Sequence, residues 1–226
     1  MTDTERKLLS IYDEWTKELY KLGFDNEIYS HPHYISVPCE WEQKDKAKIM
    51  IVGEEGYGEK RLYGDIEKIQ NALAQQYEHL TKNGSSKFWQ RFKILQGLGC
   101  CIWNNLDKVH RRGVGKCQLS SEERSLLHST NIKILAKEIE ILKPEVVVFF
   151  GWYGESVKKE LPNIFQSLYP KGLGCNIAWA DKKYFSVVDN GISYIFTYHP
   201  SWRGKPKEYE ATICDIIKNH IKNLDN

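Results

Sequence analysis

The amino-acid sequence predicts an α/β fold of three layers, a mostly parallel central sheet flanked by helices. Short continuous apolar runs, Ile49–Val52, Cys100–Trp103 and Val146–Phe150, have the character of strands buried on both faces, and segments of helical period separate them. Helix-opening residues stand between these runs, among them Ser120 with Glu123 three positions on. Reactive side chains gather just beyond predicted strand ends, at Gly53–Gly58, Asn104–Lys108 and His199–Gly204. Open α/β sheets bind their ligands at that edge.

The elements follow in order. Thr2 and Glu5 have capping-box spacing, and Leu8, Ile11, Tyr12, Trp15, Leu19 and Tyr20 recur at helical intervals before Gly23. Pro32 and Pro38 argue for an extended connector leading into the first strand, Ile49–Val52, which ends at Gly53. A helix over about 65–82 is stopped by Asn83-Gly84. The next is opened by Ser85-Ser86 and carries Phe88, Trp89, Phe92 and Leu95. After the strand Cys100–Trp103, residues 108–116 are basic and lack an apolar period, which predicts a loop. A long helix from Ser120 ends before Pro144, and the strand Val146–Phe150 stops at Gly151. Strand candidates at 177–179, 184–188 and 194–198 precede a final helix over about 207–224.

With 226 residues, 41% of them hydrophobic, one large core is the expectation. The reading is a single domain over 1–226, with the helix and connector of 1–46 packed on it. A net charge of +2 is too mild to demand a nucleic-acid partner, so local clusters must carry that argument. There is no apolar run of 18 residues and no signal-peptide core at the start, so a cytoplasmic monomer without membrane contact is expected. Six cysteines contain no C-x-x-C pair and no zinc-like histidine spacing, so no metal and no cofactor is expected.

Four segments, taken in order, carry a resemblance. They are Gly53-Glu54-Glu55-Gly56-Tyr57, Ile102-Trp103-Asn104-Asn105-Leu106, the run from Ile141 through Pro144 to Gly151, and Tyr198-His199-Pro200-Ser201. Together they resemble the uracil-DNA glycosylase superfamily, which implies that fold and DNA as partner. One branch has a loop similar to Gly-Gln-Asp-Pro-Tyr, which implies the water-directing carboxylate at Glu55 and a methyl-excluding aromatic at Tyr57. Another has Gly-Glu-Ala-Pro-Gly, which implies Glu54. The chain has Gly56 where both have proline. The second branch is similar to enzymes with a four-cysteine iron-sulfur cluster. Here no cysteine pair precedes the first strand, and Asn131 stands where a ligand is expected.

Chemistry gives these residue types a reason to converge. Breaking a sugar–pyrimidine bond develops positive charge on the sugar and negative charge on the base, so an anion is needed near one and a donor near the other. Glu54 or Glu55 supplies the anion and His199 the donor. Base identity calls for an amide, Asn105 or Asn104; one of the pair is expected to cap the loop instead, and Asn105 is favoured for the base. Tyr57, Phe88 and Trp89 are candidate platforms for the base, although Phe88 and Trp89 at helical spacing with Phe92 also fit a core. Phosphate contacts are expected from Lys108, His110, Arg111, Arg112, Arg203 and Lys205. Ser201, Trp202 and Arg203 are expected on the DNA, with Trp202 or Arg203 filling the gap left by an extruded nucleotide, as the resemblance implies.

Two functions follow: hydrolysis of the N-glycosidic bond of uracil or a related damaged base in DNA, or binding of a base, nucleotide or nucleic acid by an inactive member of that fold. An unrelated α/β hydrolase or nucleotide-binding domain is disfavoured by the absence of a Walker loop, a G-x-S-x-G elbow and a dinucleotide fingerprint.

Overall fold

Alternation of side chains along the strands gives the sheet two apolar faces, and each face is covered by its own helices. The computed structural model describes residues 2–24, 28–30, 32–43, 45–55, 66–111, 119–150, 184–201 and 209–224. These form, in chain order, α1 (Asp3–Lys21), a 3-10 turn (Cys39–Glu42), β1 (Lys48–Glu55), α2 (Ile66–Asn83), α3 (Lys87–Gln96), β2 (Cys100–Asp107), α4 (Ser121–Leu142), β3 (Val146–Phe150), β4 (Tyr184–Asp189), β5 (Ile192–Thr197) and α5 (Tyr209–Leu224).

The strand order is β2-β1-β3-β5-β4. The first four are mutually parallel, and β4 joins β5 antiparallel at the edge. One face presents Met50, Val52, Ile102, Val147, Phe149, Tyr194 and Phe196 to Leu8, Tyr12 and Trp15 of α1 and to Leu127, Leu135 and Ile139 of α4. The other presents Ile49, Ile51, Cys101, Val148, Phe150 and Ile195 to Trp89, Phe92 and Leu95 of α3 and to Ile213 and Ile217 of α5. The three layers follow directly.

Helix starts obey the local chemistry of the sequence. Thr2 accepts from the Glu5 amide while the Glu5 carboxylate accepts from the Thr2 amide, and Ser120 and Glu123 repeat the exchange at α4. Helix α4 ends at Lys143 in the left-handed region, φ 47°, immediately before Pro144.

Three features depart from expectation. Strands β1 and β2 run three and four residues past their apolar stretches, because backbone pairing continues through Val52↔Asn104, Gly53↔Asn105 and Glu55↔Asp107. The segment from residue 184 is one arm of an antiparallel hairpin. Its turn is Asn190-Gly191, with φ of 48° and 79°, the left-handed pair that a two-residue hairpin requires. The segment expected to be a basic loop from Lys108 begins buried, with Lys108 0% exposed and Val109 1%. The strand candidate 177–179 lies outside the described residues. No helix among the described residues is long and apolar enough to cross a membrane.

Candidate active site

Because β1, β2, β3 and β5 are parallel, their carboxyl ends share one edge of the sheet, and Gly53, Asn105 and His199 all lie there. Strands β2 and β5 are separated by β1 and β3. At a neighbour spacing near 4.8 Å their axes stand about 14 Å apart.

Asn105 is a buried polar side chain on this edge. It is 1% exposed, and its Oδ1 accepts from the indole Nε1 of Trp103 at 3.0 Å. Its amide N–H donates to Asn104 Oδ1 at 2.8 Å. Its Nδ2 makes no hydrogen bond among the described residues. Gly53 stands directly opposite, where a Cβ would come within 2.9 Å of Asn105 Oδ1 and 3.4 Å of Phe88 Cε2. Glycine is needed here for close approach rather than for its backbone freedom.

Phe88 occupies the first turn of α3, which Ser86 caps by accepting from the Trp89 amide. The half-buried Phe88 ring lies 6.5 Å from Trp103 and 6.0 Å, edge-on, from Phe150. It thus spans the ends of β1, β2 and β3. Trp89, 7% exposed, packs into the apolar cluster beneath.

Asn104 faces the opposite side of the sheet. Its Nδ2 donates to Glu138 Oε2 at 2.9 Å, and its Oδ1 accepts from Lys108 Nζ as well as from the Asn105 amide. Lys108 also pairs with Glu138 Oε1 at 2.9 Å, and Tyr12 donates to the same oxygen at 2.8 Å. Burial and the adjacent Glu138 charge push the Tyr12 hydroxyl well above its ordinary range, which keeps it a donor. The expected phosphate contacts of Lys108 and His110 are therefore corrected. Lys108 is committed to a buried carboxylate and His110 is only 5% exposed.

His199 follows β5, and its Nδ1 accepts from the Ser201 amide at 3.2 Å and faces Ser201 Oγ at 2.6 Å. A backbone N–H can only donate, so Nδ1 is the bare nitrogen and the ring proton of the neutral imidazole sits on Nε2. The loop thereby prepares a single N–H donor. Ser201 itself is exposed, with its hydroxyl turned to this ring.

Arg111 is half-exposed but forms an ion pair with Glu123 at 2.8 Å. The Arg111 hydrogen bonds, aided by Tyr29 and the Ser120 amide and opposed by burial, lower the Glu123 carboxyl to about 2. A backbone bridge from Tyr29 to Arg111 ties the connector to this point. The backbone of Glu54 and Glu55 belongs to β1, while their side chains lie outside the described part. So do Tyr57, Arg112, Trp202, Arg203 and Lys205.

Two residues at this edge went unread in the sequence. The apolar run Cys100–Trp103 predicts Trp103 as the last residue of a buried strand, yet it is half-buried and shares the Asn105 face. His33 sat in a connector without a pattern, yet its ring packs 4.4 Å from Trp103. Strand alternation, carried two residues further, would have revealed Trp103. A groove lined by Trp15, Lys133, Pro144 and Gly191 opens at the opposite, amino edge and takes in none of these residues.

A family model, the Uracil DNA glycosylase superfamily, matches residues 41–217. No curated protein gives a significant match to the chain.

Proposed function

Because the chain belongs to the uracil-DNA glycosylase superfamily, we propose that it is a DNA glycosylase that hydrolyses the N-glycosidic bond of uracil or a related damaged base. The observation that carries this reading is the pair of oriented hydrogen-bonding groups, Asn105 near the end of β2 and His199 just after β5, at the carboxyl edge that these parallel strands share.

In this mechanism the extruded base stacks on Phe88, and the Asn105 amide reads its edge. As the bond from C1′ to the base nitrogen breaks, the electron pair leaves with the base, and His199 Nε2–H donates to a base carbonyl oxygen as its charge grows. A glutamate at the end of β1 faces the developing sugar cation and directs water to C1′. Glu55 is preferred for this task, since position 55 shares its strand face with Gly53 and Asn105, whereas position 54 shares that of Val52 and Asn104. Water oxygen ends on C1′ and its released proton passes to that glutamate and on to solvent, leaving an abasic sugar, while the base anion takes a proton from solvent. Arg112, Ser201, Trp202 and Arg203 contact the DNA, and Asn104 braces Asn105 instead of touching the base.

Incubating purified protein with an oligonucleotide containing one deoxyuridine, with a chelator present because no step above uses a metal, tests the proposal. Free uracil and an abasic strand are expected. Binding without release of uracil or any other deaminated or alkylated base would favour the inactive, base-binding reading, for which the loop with Gly56 in place of proline is the reason to test.

A further inference from the structure

An unrestrained asparagine amide reads nothing by itself. Its oxygen and nitrogen ends are nearly equal in size, so a half-turn about the last side-chain bond exchanges acceptor for donor, and the group can face a keto or an amino edge equally well. Discrimination requires something that forbids the half-turn.

Trp103 supplies it. An indole N–H can donate and cannot accept, so the Asn105 atom 3.0 Å from Trp103 Nε1 must be the oxygen. Reversal would set an NH₂ group against that N–H, losing a bond and opposing two donors within a site from which water is nearly excluded. Trp103 is itself held by the His33 ring at 4.4 Å and by Trp89, edge-on, at 5.1 Å. His33 is tied in turn to the end of β2 through its amide, which donates to the Lys108 carbonyl at 2.7 Å. Asn105 Nδ2 is left as a buried donor with no acceptor among the described residues.

We infer that Trp103 is a specificity-determining residue: it locks the Asn105 amide with Nδ2 as the reading atom, so the site accepts a base with a carbonyl where the ordinary base carries an amino group. This rests on the glycosylase reading above and deepens it. The lock selects a carbonyl over an exocyclic amine at that position, so it favours uracil over cytosine and hypoxanthine over adenine. Cytosine and adenine present an amine to Nδ2 and are rejected by two opposed donors.

Two measurements test this. In the first, Trp103→Phe keeps an aromatic ring at the position, smaller than the indole, and removes the donor, and base release is compared on single-stranded oligonucleotides carrying one deoxyuridine or one deoxycytidine. The ratio of the uracil rate to the cytosine rate should fall at least tenfold in the variant. If wild type releases uracil and the variant keeps the wild-type ratio, the lock is overturned and the glycosylase reading stands. If wild type releases no base from either strand, uracil is not the substrate and the inference is overturned, while the glycosylase reading is decided separately by release of the other deaminated or alkylated bases.

The second measurement needs no activity. The Trp103 indole N–H signal, assigned by its disappearance in Trp103→Phe, should exchange with solvent slowly in wild type and at least tenfold faster in Asn105→Leu. Equal exchange rates in the two proteins would overturn the lock directly, and this arm remains decisive if Trp103→Phe folds poorly.

Discussion

Lys108 and Glu138 form an ion pair at 2.9 Å in which both side chains are 0% exposed. The carboxylate collects three donors, from Tyr12, Lys108 and Asn104, and Tyr12 in turn accepts from the Ile35 amide at 3.0 Å. One buried charge pair therefore joins α1, the connector, β2 and α4 directly behind Asn105. Removing one partner leaves an uncompensated buried charge, which costs about 3–5 kcal/mol. Glu138→Ala and Lys108→Met should each lose roughly that much in urea unfolding, and the double substitution Lys108→Met with Glu138→Leu should recover most of it. Single losses below about 1 kcal/mol would contradict the pairing.

Gly53→Ala should act through Asn105. The added methyl meets Asn105 Oδ1 at 2.9 Å, so that side chain must shift, while the Phe88 ring at 3.4 Å remains in close contact. Overpacking of this kind costs about 1–3 kcal/mol. Base release should fall at least tenfold while DNA binding, carried by phosphate contacts, changes little. Unchanged kinetics would show that Asn105 does not work in the position described.

The Tyr29–Arg111–Glu123 cluster gives stability a defined pH dependence. Glu123 in the folded chain titrates at about 2, below its ordinary 4.5, chiefly through Arg111. A depressed carboxyl stabilises the fold above the unfolded value, and the contribution is lost as pH falls from about 5 toward 2. Wild type should exceed Glu123→Gln in Tm by a few degrees at pH 6. That gap should narrow steadily by pH 3. A gap that is constant or that widens on acidification would remove Glu123 from this role.

DNA affinity should weaken with salt, each phosphate contact contributing about 0.9 to the slope of log K against log salt on duplex DNA. Replacing Arg112 and Arg203 together by alanine should flatten the slope by about two. Arg111→Ala should change it less, since Glu123 already neutralises that guanidinium. Titration of a labelled uracil-containing duplex at several salt concentrations measures both effects.

The layered fold was legible because its signals are local and repeated: apolar runs between Gly and capping residues predict β1, β2, β3, α1 and α4 without tertiary information. The hairpin was legible too, in Asp189-Asn190-Gly191, but it was read as part of an alternating parallel pattern. His199, Asn105 and Gly53 could be placed on one edge because each follows or ends a strand. What the sequence hid was facing and pairing. The Lys108-Val109-His110-Arg111-Arg112 stretch looks like a basic surface until Glu138, 30 residues away, is found against Lys108. Asn104 and Asn105 look interchangeable until the pairing with β1 extends far enough to put them on opposite faces. Trp103 and His33 meet only because the connector folds back along the end of β2.

The most direct test of the account is the rate of uracil release by His199→Ala against wild type, measured under single-turnover conditions with the DNA affinity of both proteins determined in parallel. His199 Nε2–H acts on charge that appears only as the bond breaks, so the rate should fall by roughly 10²- to 10³-fold while affinity changes by less than about tenfold. Wild-type rates in the variant, or a loss of affinity as large as the loss of rate, would contradict the assignment of His199 as the donor to the departing base.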